Sequence, residues 1–449
     1  MPERGEVAIV GSGLAGSEAA WQLAQLGRRV DLYEMRPQRP TPAHKTSDCA
    51  ELVCSNSFKS RSLENAHGLL KAELNQFGSL ILQTAERFAV PAGQALAIDR
   101  QPFSSSINQQ LANHSSIHLL REEVENLGKL LDYYAAVLVA TGPLTSDALS
   151  ESLQQLIGIG HLSFYDAIAP VVTTESINSQ LAFRASRYDK GEADYLNCPF
   201  SQQQYEDFVA AILAADKVPM HQFEDVRPFE GCLPIEVMAE RGLDTLRFGP
   251  LKPVGLPHPE TGEQFHAVVQ LRQENALGTL YNLVGFQTKM TWTAQQQIFR
   301  TIPGLEEAEF VRLGSIHRNT FLNSPKLLNS RLQLQQEPRL FFAGQLTGVE
   351  GYTESTSMGL AAAYFLHHEL QGDSLPELPG TTMMGGLIRY LTTTDPKHFQ
   401  PMNANFGLLE PPQQRLPKPQ RKAWLAERAM RELEQWRESC ELGTPVTAV

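Results

Sequence analysis

The stretch of sequence that decides the fold runs from Glu6 to Glu34 and reads EVAIVGSGLAGSEAAWQLAQLGRRVDLYE. Its first apolar run, Val7–Val10, predicts a buried strand, and the residues after the glycine turn have the pattern of a helix as far as Leu26. Gly27 ends that helix, and a second strand pattern then leads to the acidic Glu34. This order of strand, glycine turn, helix, strand and carboxylate predicts a βαβ unit of a Rossmann-type sheet.

The glycine turn has the spacing of a dinucleotide-binding fingerprint. Gly11 allows the tight turn, Gly13 allows the backbone to approach a diphosphate, and Gly16 allows the helix to pack closely on the sheet. The diphosphate would lie at the helix N-terminus, where unpaired N–H groups attract anions, and Glu34 would accept hydrogen bonds from the ribose. A glycine turn can also serve packing alone, but the complete βαβ context favours nucleotide binding. The predicted binding residues of this unit are Gly11, Gly13, Leu14, Ala15, Gly16 and Glu34.

Two later strand patterns also end in small residues. The run 135–140 ends in Thr141 and Gly142, and the run 339–343 ends in Gly344 and Gln345. Because ligands of doubly wound sheets lie at the carboxyl ends of the strands, we predict that these four residues contact the same dinucleotide. Any buried strand followed by a turn would look similar. Gly351 and Tyr352 lead into a helix rich in small residues, whose N-terminus we expect to face the cofactor.

Composition and charge limit the remaining possibilities. The chain has 449 residues, a formal charge of −12 and an ordinary globular balance of 42% hydrophobic and 20% charged residues. The negative charge argues weakly against a nucleic-acid partner, which would need a locally basic face. The five cysteines contain no C-x-x-C pair, which predicts reduced thiols, a cytoplasmic location and no bound metal. No apolar run is long enough to cross a membrane, so we expect no membrane association.

The sequence predicts an α/β fold in which a Rossmann-type dinucleotide-binding domain, an FAD-binding domain by the family resemblance of its motifs, is interrupted by an inserted α+β domain. Nearly two hundred residues without an internal repeat separate the second and third strand patterns, and prolines at Pro170 and Pro338 break the pattern on either side. We therefore expect residues 1–169 and 338–449 to form the FAD-binding domain, with a C-terminal helix near 422–438, and residues 170–337 to form the insertion.

Eight motifs distributed along nearly the whole chain closely resemble the folate- and FAD-dependent tRNA uracil-5-methyltransferases, the TrmFO family. They are Gly13-Leu14-Ala15-Gly16-Ser17-Glu18-Ala19-Ala20, Glu34-Met35-Arg36-Pro37, Glu51-Leu52-Val53-Cys54-Ser55-Asn56-Ser57, Phe229-Glu230-Gly231-Cys232-Leu233-Pro234-Ile235-Glu236, Val284-Gly285-Phe286-Gln287-Thr288-Lys289, Gly314-Ser315-Ile316-His317-Arg318-Asn319-Thr320, Phe341-Phe342-Ala343-Gly344-Gln345 and Gly348-Val349-Glu350-Gly351-Tyr352-Thr353-Glu354-Ser355. The segment 290–293, which contains Trp292, departs from the expected pattern after Lys289.

The resemblance implies methylation of uracil C5 in the T-loop of tRNA, with methylenetetrahydrofolate as carbon donor and FAD, reduced by NADPH or NADH, as reductant. Uracil C5 is a poor nucleophile, and a thiolate that adds at C6 activates it. By resemblance Cys232 is the C6 nucleophile, and Cys54 is the second functional thiol near the flavin. Tyr352 is the candidate for stacking on the isoalloxazine. The remaining residues that the resemblance assigns to substrate are Lys289, His317, Arg318 and Asn319.

A basic segment near the end of the insertion is the predicted contact with tRNA. Residues 311–340 carry five basic side chains against one acidic one, and we predict that the tRNA T-arm docks there on Arg312, Lys326 and Arg331.

Other functions are compatible with parts of the sequence. The glycine fingerprint alone equally permits an FAD oxidoreductase that acts on a small metabolite. A third possibility is a flavin-bearing tRNA-binding factor without turnover. A GidA-like enzyme that modifies the tRNA wobble uridine is also possible, although GidA chains are much longer.

Overall fold

The computed structural model describes residues 6–157, 162–189, 192–218, 233–275, 277–373, 375–397, 399–412, 417, 419–440 and 442. The strands of these residues are β1 (Val7–Val10), β2 (Val30–Tyr33), β3 (Ser57–Ser60), β4 (Ala89–Val90), β5 (Ala95–Ile98), β6 (Ile117–Leu120), β7 (Ala136–Val139), β8 (Leu162–Ile168), β9 (Val171–Thr173), β10 (Phe183–Arg184), β11 (Tyr195–Phe200), β12 (Ala267–Gln273), β13 (Leu280–Leu283), β14 (Phe310–Arg312), β15 (Ser315–Phe321), β16 (Gln333–Leu334) and β17 (Glu337–Phe342).

The α-helices of the described residues are α1 (Leu14–Gln25), α2 (Ala66–Asn75), α3 (Leu80–Arg87), α4 (Arg100–Asn113), α5 (Leu127–Leu131), α6 (Asp147–Ile157), α7 (Gln202–Ala214), α8 (Ile235–Glu240), α9 (Thr245–Phe248), α10 (Trp292–Phe299), α11 (Ser324–Leu327), α12 (Tyr352–Gln371), α13 (Met383–Thr393) and α14 (Arg421–Ser439). Helices α12 and α14 cover the two stretches where the sequence predicts long helices. No helix of the described residues combines the length and apolar character that crossing a membrane requires.

The first sheet is a Rossmann-type sheet with strand order β16-β17-β7-β1-β2-β6. All its neighbouring strands are parallel except β16, which pairs antiparallel with β17. Its central strands β1 and β7 are apolar and buried along their whole length, as parallel strands covered on both faces are. On one face α1 crosses α12 so closely that a Cβ on Gly359 would lie 2.1 Å from the carbonyl oxygen of Ala15. The predicted α/β fold class is confirmed.

The second large sheet is antiparallel, with strand order β10-β11-β12-β13-β9-β14. Helices α7, α8 and α10 contribute to a separate apolar core on this sheet. Three phenylalanines lie at its centre, with the ring of Phe286 5.3 Å from that of Phe299 and 6.1 Å from that of Phe208. This second core gives the antiparallel sheet its own hydrophobic stabilisation, independent of the parallel sheet.

A two-stranded ladder of β8 and β15 lies between the two sheets in the chain. The chain passes through β8 into the antiparallel sheet at Val171 and returns through β15 after Arg312. Strand β16, at Gln333–Leu334, already belongs to the parallel sheet. The domain boundaries at residues 169 and 337 stay a prediction. A small third sheet, β3-β5-β4, packs beside α2 and α3.

Candidate active site

The glycine turn between β1 and α1 has the geometry that its spacing predicts. Gly11 has a φ of +100°, in the region that favours glycine, and a Cβ on Gly16 would lie 1.8 Å from the carbonyl oxygen of Gly11. Gly13 is the N-cap of α1 and offers no side-chain cap, and a Cβ placed on it would have nothing within 4 Å. The turn therefore leaves open space directly in front of the first N–H groups of α1.

That space is part of a cavity with an empty volume of about 1040 Å³, including its mouth. It lies at the carboxyl ends of β1, β2, β7 and β17, where ligands of open α/β sheets bind. Of the predicted cofactor residues, those that line this cavity are Gly11, Gly13, Leu14, Ala15, Glu34, Thr141, Gly142, Gly344, Gln345 and Tyr352. Gly16 and Gly351 instead shape the turns behind the wall.

Glu34 lines the cavity, and both of its carboxylate oxygens accept hydrogen bonds from protein groups. Oε2 accepts from the Ser12 hydroxyl at 2.6 Å, and Oε1 accepts from Arg36 Nε at 2.8 Å. Burial would raise the pKa of Glu34, but the hydrogen bonds and charge of Arg36 outweigh it and hold the pKa at about 2. Arg36 is itself buried, and its other nitrogens reach Glu51 and the carbonyl oxygen of Asp48. The predicted contact of Glu34 with a ribose thus competes with a formed ion pair.

Tyr352 connects the cavity to Cys54. Its ring lines the cavity, while its hydroxyl accepts hydrogen bonds from the backbone N–H groups of Cys54 at 2.9 Å and of Ser55 at 3.0 Å. Burial raises the pKa of Tyr352, so the hydroxyl stays protonated at neutral pH. Val53, the residue before Cys54, lines the same cavity. The structure therefore places the loop that carries Cys54 at the wall of the dinucleotide cavity.

Two arginines hold the other side of this loop. Arg100 Nη1 donates to the carbonyl oxygen of Leu52 at 2.8 Å, and both Arg100 and Arg312 donate to the carbonyl oxygen of Cys54 at 3.4 Å. Glu274 accepts from Arg100 at 2.6 Å and lies 3.8 Å from Arg312. Burial, followed by the charge of Arg100, lowers the pKa of Arg312 to about 10. Four segments distant in sequence thus meet around the backbone of Cys54.

The placement of Arg312 separates it from the rest of the predicted tRNA surface. The side chain is only 16% exposed and reaches Glu274, and the residue lines the cleft between the Cys54 loop and the antiparallel sheet, so its contact with tRNA stays a prediction. The other two residues of the predicted tRNA surface lie elsewhere. Lys326 is exposed on α11, and Arg331 lies 3.8 Å from Glu369 near the end of α12. The charge count over 311–340 was correct, but it does not say which way each side chain points. A tRNA contact of Lys326 and Arg331 stays a prediction.

Several predicted site residues lie partly or wholly outside the residues that the structure describes. Cys232 lies outside the described residues. His317, Arg318 and Asn319 lie on the backbone of β15, and their side chains are not described. Lys289 is half-buried in the core of the antiparallel sheet, where its N–H donates to Glu236 at 2.6 Å. Among the described residues, no group of three or more His, Cys, Asp or Glu side chains is arranged to hold a metal ion.

The segment that follows Cys232 is firmly positioned. Ile235, at the start of α8, donates its N–H to the carbonyl oxygen of Gln287 at 2.7 Å, and Glu236 accepts from the Thr288 hydroxyl at 2.9 Å. Burial raises the pKa of Glu236. The described end of the motif that contains Cys232, Ile235 and Glu236, therefore contacts the motif that contains Lys289, which the sequence alone does not show.

Comparisons with known proteins decide the family. Residues 6–374 match the family described as glucose inhibited division protein A. The chain is 55% identical over 428 residues to the methylenetetrahydrofolate–tRNA-(uracil-5-)-methyltransferase TrmFO of Natranaerobius thermophilus, a match that covers 95% of this chain and 98% of that one. The protein of the same name from Geobacter sulfurreducens is 56% identical over 433 residues, covering 96% and 99%. This chain belongs to the TrmFO family. The resemblance stated from the sequence motifs is confirmed.

Solved structures agree on the fold of this TrmFO family member. A crystal structure of Aquifex aeolicus GidA, form II, aligns with a TM-score of 0.67 at 15% identity, covering 97% of this chain and 74% of that one. The form I crystal gives the same TM-score at 16% identity, with 98% and 78% coverage. At such identity the likeness shows the fold alone.

Some residues of the site were not found by sequence reasoning. Arg100 and Glu274 brace the Cys54 loop through contacts between residues that are distant in sequence, whereas Arg36 pairs with Glu34, two residues before it. Arg36 belongs to one of the family motifs, but the motif does not indicate this ion pair. No local sequence pattern indicates the roles of Arg100 and Glu274.

Proposed function

We propose that this protein is a methylenetetrahydrofolate–tRNA-(uracil-5-)-methyltransferase that converts a T-loop uridine of tRNA to 5-methyluridine, with FAD as cofactor and NADPH or NADH as the source of electrons. The observation that carries this proposal is the Tyr352 side chain, whose ring lines the dinucleotide cavity while its hydroxyl holds the backbone of Cys54. A thiol placed next to a flavin site is what a reductive alkylation of uracil requires. The relatives that share more than half of the residues carry the name of this activity.

The residues around the cavity fit FAD. The uncapped N-terminus of α1 opens on space that no side chain fills, which suits a diphosphate, and a Cβ on Gly13 would occupy that space. Glu34 and Ser12 lie at the end of β2 and β1, where the adenosine ribose would be held. Gly344, Gln345 and Tyr352 form the wall toward Cys54, where the isoalloxazine would lie. When bound and reduced, FAD supplies the hydride that completes the methyl group.

The chain's own contribution to the chemistry is nucleophilic catalysis. A thiolate of Cys232 adds to C6 of uracil, which makes C5 an enolate carbon able to attack the methylene group of the folate. Loss of the C5 proton then accompanies cleavage of the bond between the methylene carbon and the folate nitrogen, which releases tetrahydrofolate and leaves an exocyclic methylene on C5. Addition of a hydride to this methylene, which reduced FAD would supply, expels the Cys232 thiolate, restores the C5–C6 double bond and gives the methyl group. Cys54 directly follows Val53, which lines the cavity, and we assign it as the second thiol in this exchange. Since its backbone is held by Tyr352, Arg100 and Arg312, its position is fixed before substrate arrives.

The competing functions have less support. A small-metabolite oxidoreductase would need the cavity but not a braced cysteine beside it. A GidA-like wobble-uridine enzyme has less support, because the relatives that share more than half of the residues carry the name of the uracil-5-methyltransferase. Because tRNA, a reduced folate and reactive thiols belong together in a reducing compartment, we place the reaction in the cytoplasm.

The test is a reconstitution with unmodified tRNA, methylenetetrahydrofolate labelled in its methylene carbon, and NADPH. We expect label in 5-methyluridine with the natural protein, and none with Cys232→Ala or Cys54→Ala. Cys440→Ala serves as the matched control, because this half-buried cysteine follows α14 and lines neither the dinucleotide cavity nor its wall. Label-free 5-methyluridine with the natural protein, or full product with both cysteine variants, would exclude the proposed reaction.

A further inference from the structure

A second, larger cleft adjoins the dinucleotide cavity. Its empty volume is about 2080 Å³, including open space, and it shares Glu51 and Val53 with the wall of the dinucleotide cavity. We call it the outer cleft. One side is built by Lys45 and by the loop before Cys54, and the other by the antiparallel sheet. The outer cleft is therefore a route from the surface to the wall that carries Cys54.

The antiparallel-sheet side of the outer cleft exposes large apolar side chains. Leu277 is 84% exposed, Trp292 66% and Val311 53%. Trp292 is the first residue of α10, held outward by the Thr291 N-cap. A tryptophan this exposed on a cleft is uncommon, and exposed apolar groups that gather at one site mark a binding surface. Trp292 also lies in the segment that departs from the expected family pattern.

The opposite side of the outer cleft carries the exposed Lys45. Of the carboxylates that line the cleft, Glu51 pairs with Arg36 and Glu274 pairs with Arg100, while Asp99 immediately precedes α4. Among the described residues no carboxylate lies within ion-pair distance of the Lys45 ammonium. Partial burial and then the charges of Arg312 and Arg100 lower the pKa of Lys45, against the opposing charges of Glu51 and Glu274.

We propose that the outer cleft receives an unstacked nucleotide of the tRNA substrate, with a base stacked on the Trp292 indole and a phosphate at the Lys45 ammonium. The inference rests on the proposed function. An enzyme that modifies a base must take that base out of its stack, and grooves lined by an aromatic face and a cation hold single-stranded nucleotides. Trp292 and Lys45 both line the outer cleft.

The test compares Trp292→Ala and Trp292→Phe in the flavin-loaded protein, with an unmodified T-arm hairpin as the probe. Loss of one stacked base weakens binding by roughly five- to a hundredfold, so we expect that change in Kd for Trp292→Ala and a near-normal Kd for Trp292→Phe. The KM for methylenetetrahydrofolate should be unchanged in both. Phe248→Ala is the matched control, because Phe248 is 81% exposed but does not line the outer cleft.

Lys45→Gln gives an independent readout. Removal of one phosphate contact lowers the slope of log Kd against log salt by about 1, and Lys45→Arg should restore it. An unchanged Kd for Trp292→Ala, an equal loss for Phe248→Ala, or a raised folate KM in place of a raised hairpin Kd would overturn the inference, the last by assigning the cleft to folate. If the natural protein forms no 5-methyluridine, the proposed function fails instead, so the two failures are distinguishable.

Discussion

The buried pair of Glu34 and Arg36 gives the most quantitative prediction. The carboxylate of Glu34 has a pKa of about 2 in the fold against 4.5 for the ordinary group, although burial alone would raise it. A difference of this size corresponds to about 3 kcal/mol of stability at neutral pH. We therefore expect Glu34→Gln to lower the free energy of unfolding of the flavin-free protein by about 3 kcal/mol at pH 7, because Arg36 then loses its main partner.

The loss of stability in Glu34→Gln should be largest at neutral pH and should decrease in acid. Because the pKa of Glu34 is lower in the folded than in the unfolded chain, its contribution is complete well above pH 4.5 and is lost as the pH falls toward 2. The difference between natural protein and Glu34→Gln should therefore shrink to about 1 kcal/mol at pH 3. Urea unfolding, followed by circular dichroism at pH 7, 5, 4 and 3, measures both quantities.

A matched control comes from an exposed pair of the same chemistry. Glu123 accepts from Arg39 at 2.6 Å, but Arg39 is 40% exposed, so solvent screens the pair. Glu123→Gln should cost less than about 1 kcal/mol at pH 7. If Glu34→Gln cost no more than this control, or if its cost stayed constant between pH 7 and pH 3, the reasoning from burial and charge would be refuted.

Three further predictions concern the cavity wall. Gly16→Ala should prevent flavin binding and lower the Tm, because its Cβ would lie 1.8 Å from the carbonyl oxygen of Gly11. Gly13→Ala should keep the Tm of the flavin-free protein but weaken FAD binding, measured by flavin fluorescence, because its Cβ has free space only until the diphosphate arrives. Tyr352→Phe should retain flavin yet reduce the rate of 5-methyluridine formation, because two N–H groups of the Cys54 loop lose their acceptor. The loss costs about 1–3 kcal/mol, and an unchanged rate would contradict this prediction.

The parts of the fold that sequence reasoning predicted are those with local causes. The turn at Gly11, Gly13 and Gly16 needs only a strand before it and a helix after it, and both are written in the adjoining residues. The strands before Thr141 and Gly344 were found for the same reason. Their meeting at one cavity follows from a rule of parallel sheets, so that this part of the site was predictable without any long-range contact.

The parts that sequence reasoning could not give depend on pairing across the chain. Counting charges over residues 311–340 placed Arg312 on a basic face, because a sum carries no direction. Arg312 ends β14 at the edge of the antiparallel sheet, and its side chain there turns to Glu274 and the Cys54 carbonyl. Arg100 opens α4 and does the same from the opposite side. Only the register of the antiparallel sheet decides these contacts, and no residue pattern near Arg312 encodes it.

The bracing of the Cys54 loop suggests why the antiparallel sheet is built into this fold. Tyr352 and Arg100 reach the loop from elements that pack on the parallel sheet, whereas Arg312 and Glu274 reach it from the antiparallel sheet. A sheet that served only to cover the flavin would not need to touch the thiol's backbone. Because it does, any shift of the antiparallel sheet on substrate binding changes the hydrogen bonds at Cys54 directly. Trp292 opens α10, whose apolar residues pack in the core on the same sheet, so a base bound at Trp292 would act on the unit that also contacts the backbone of Cys54.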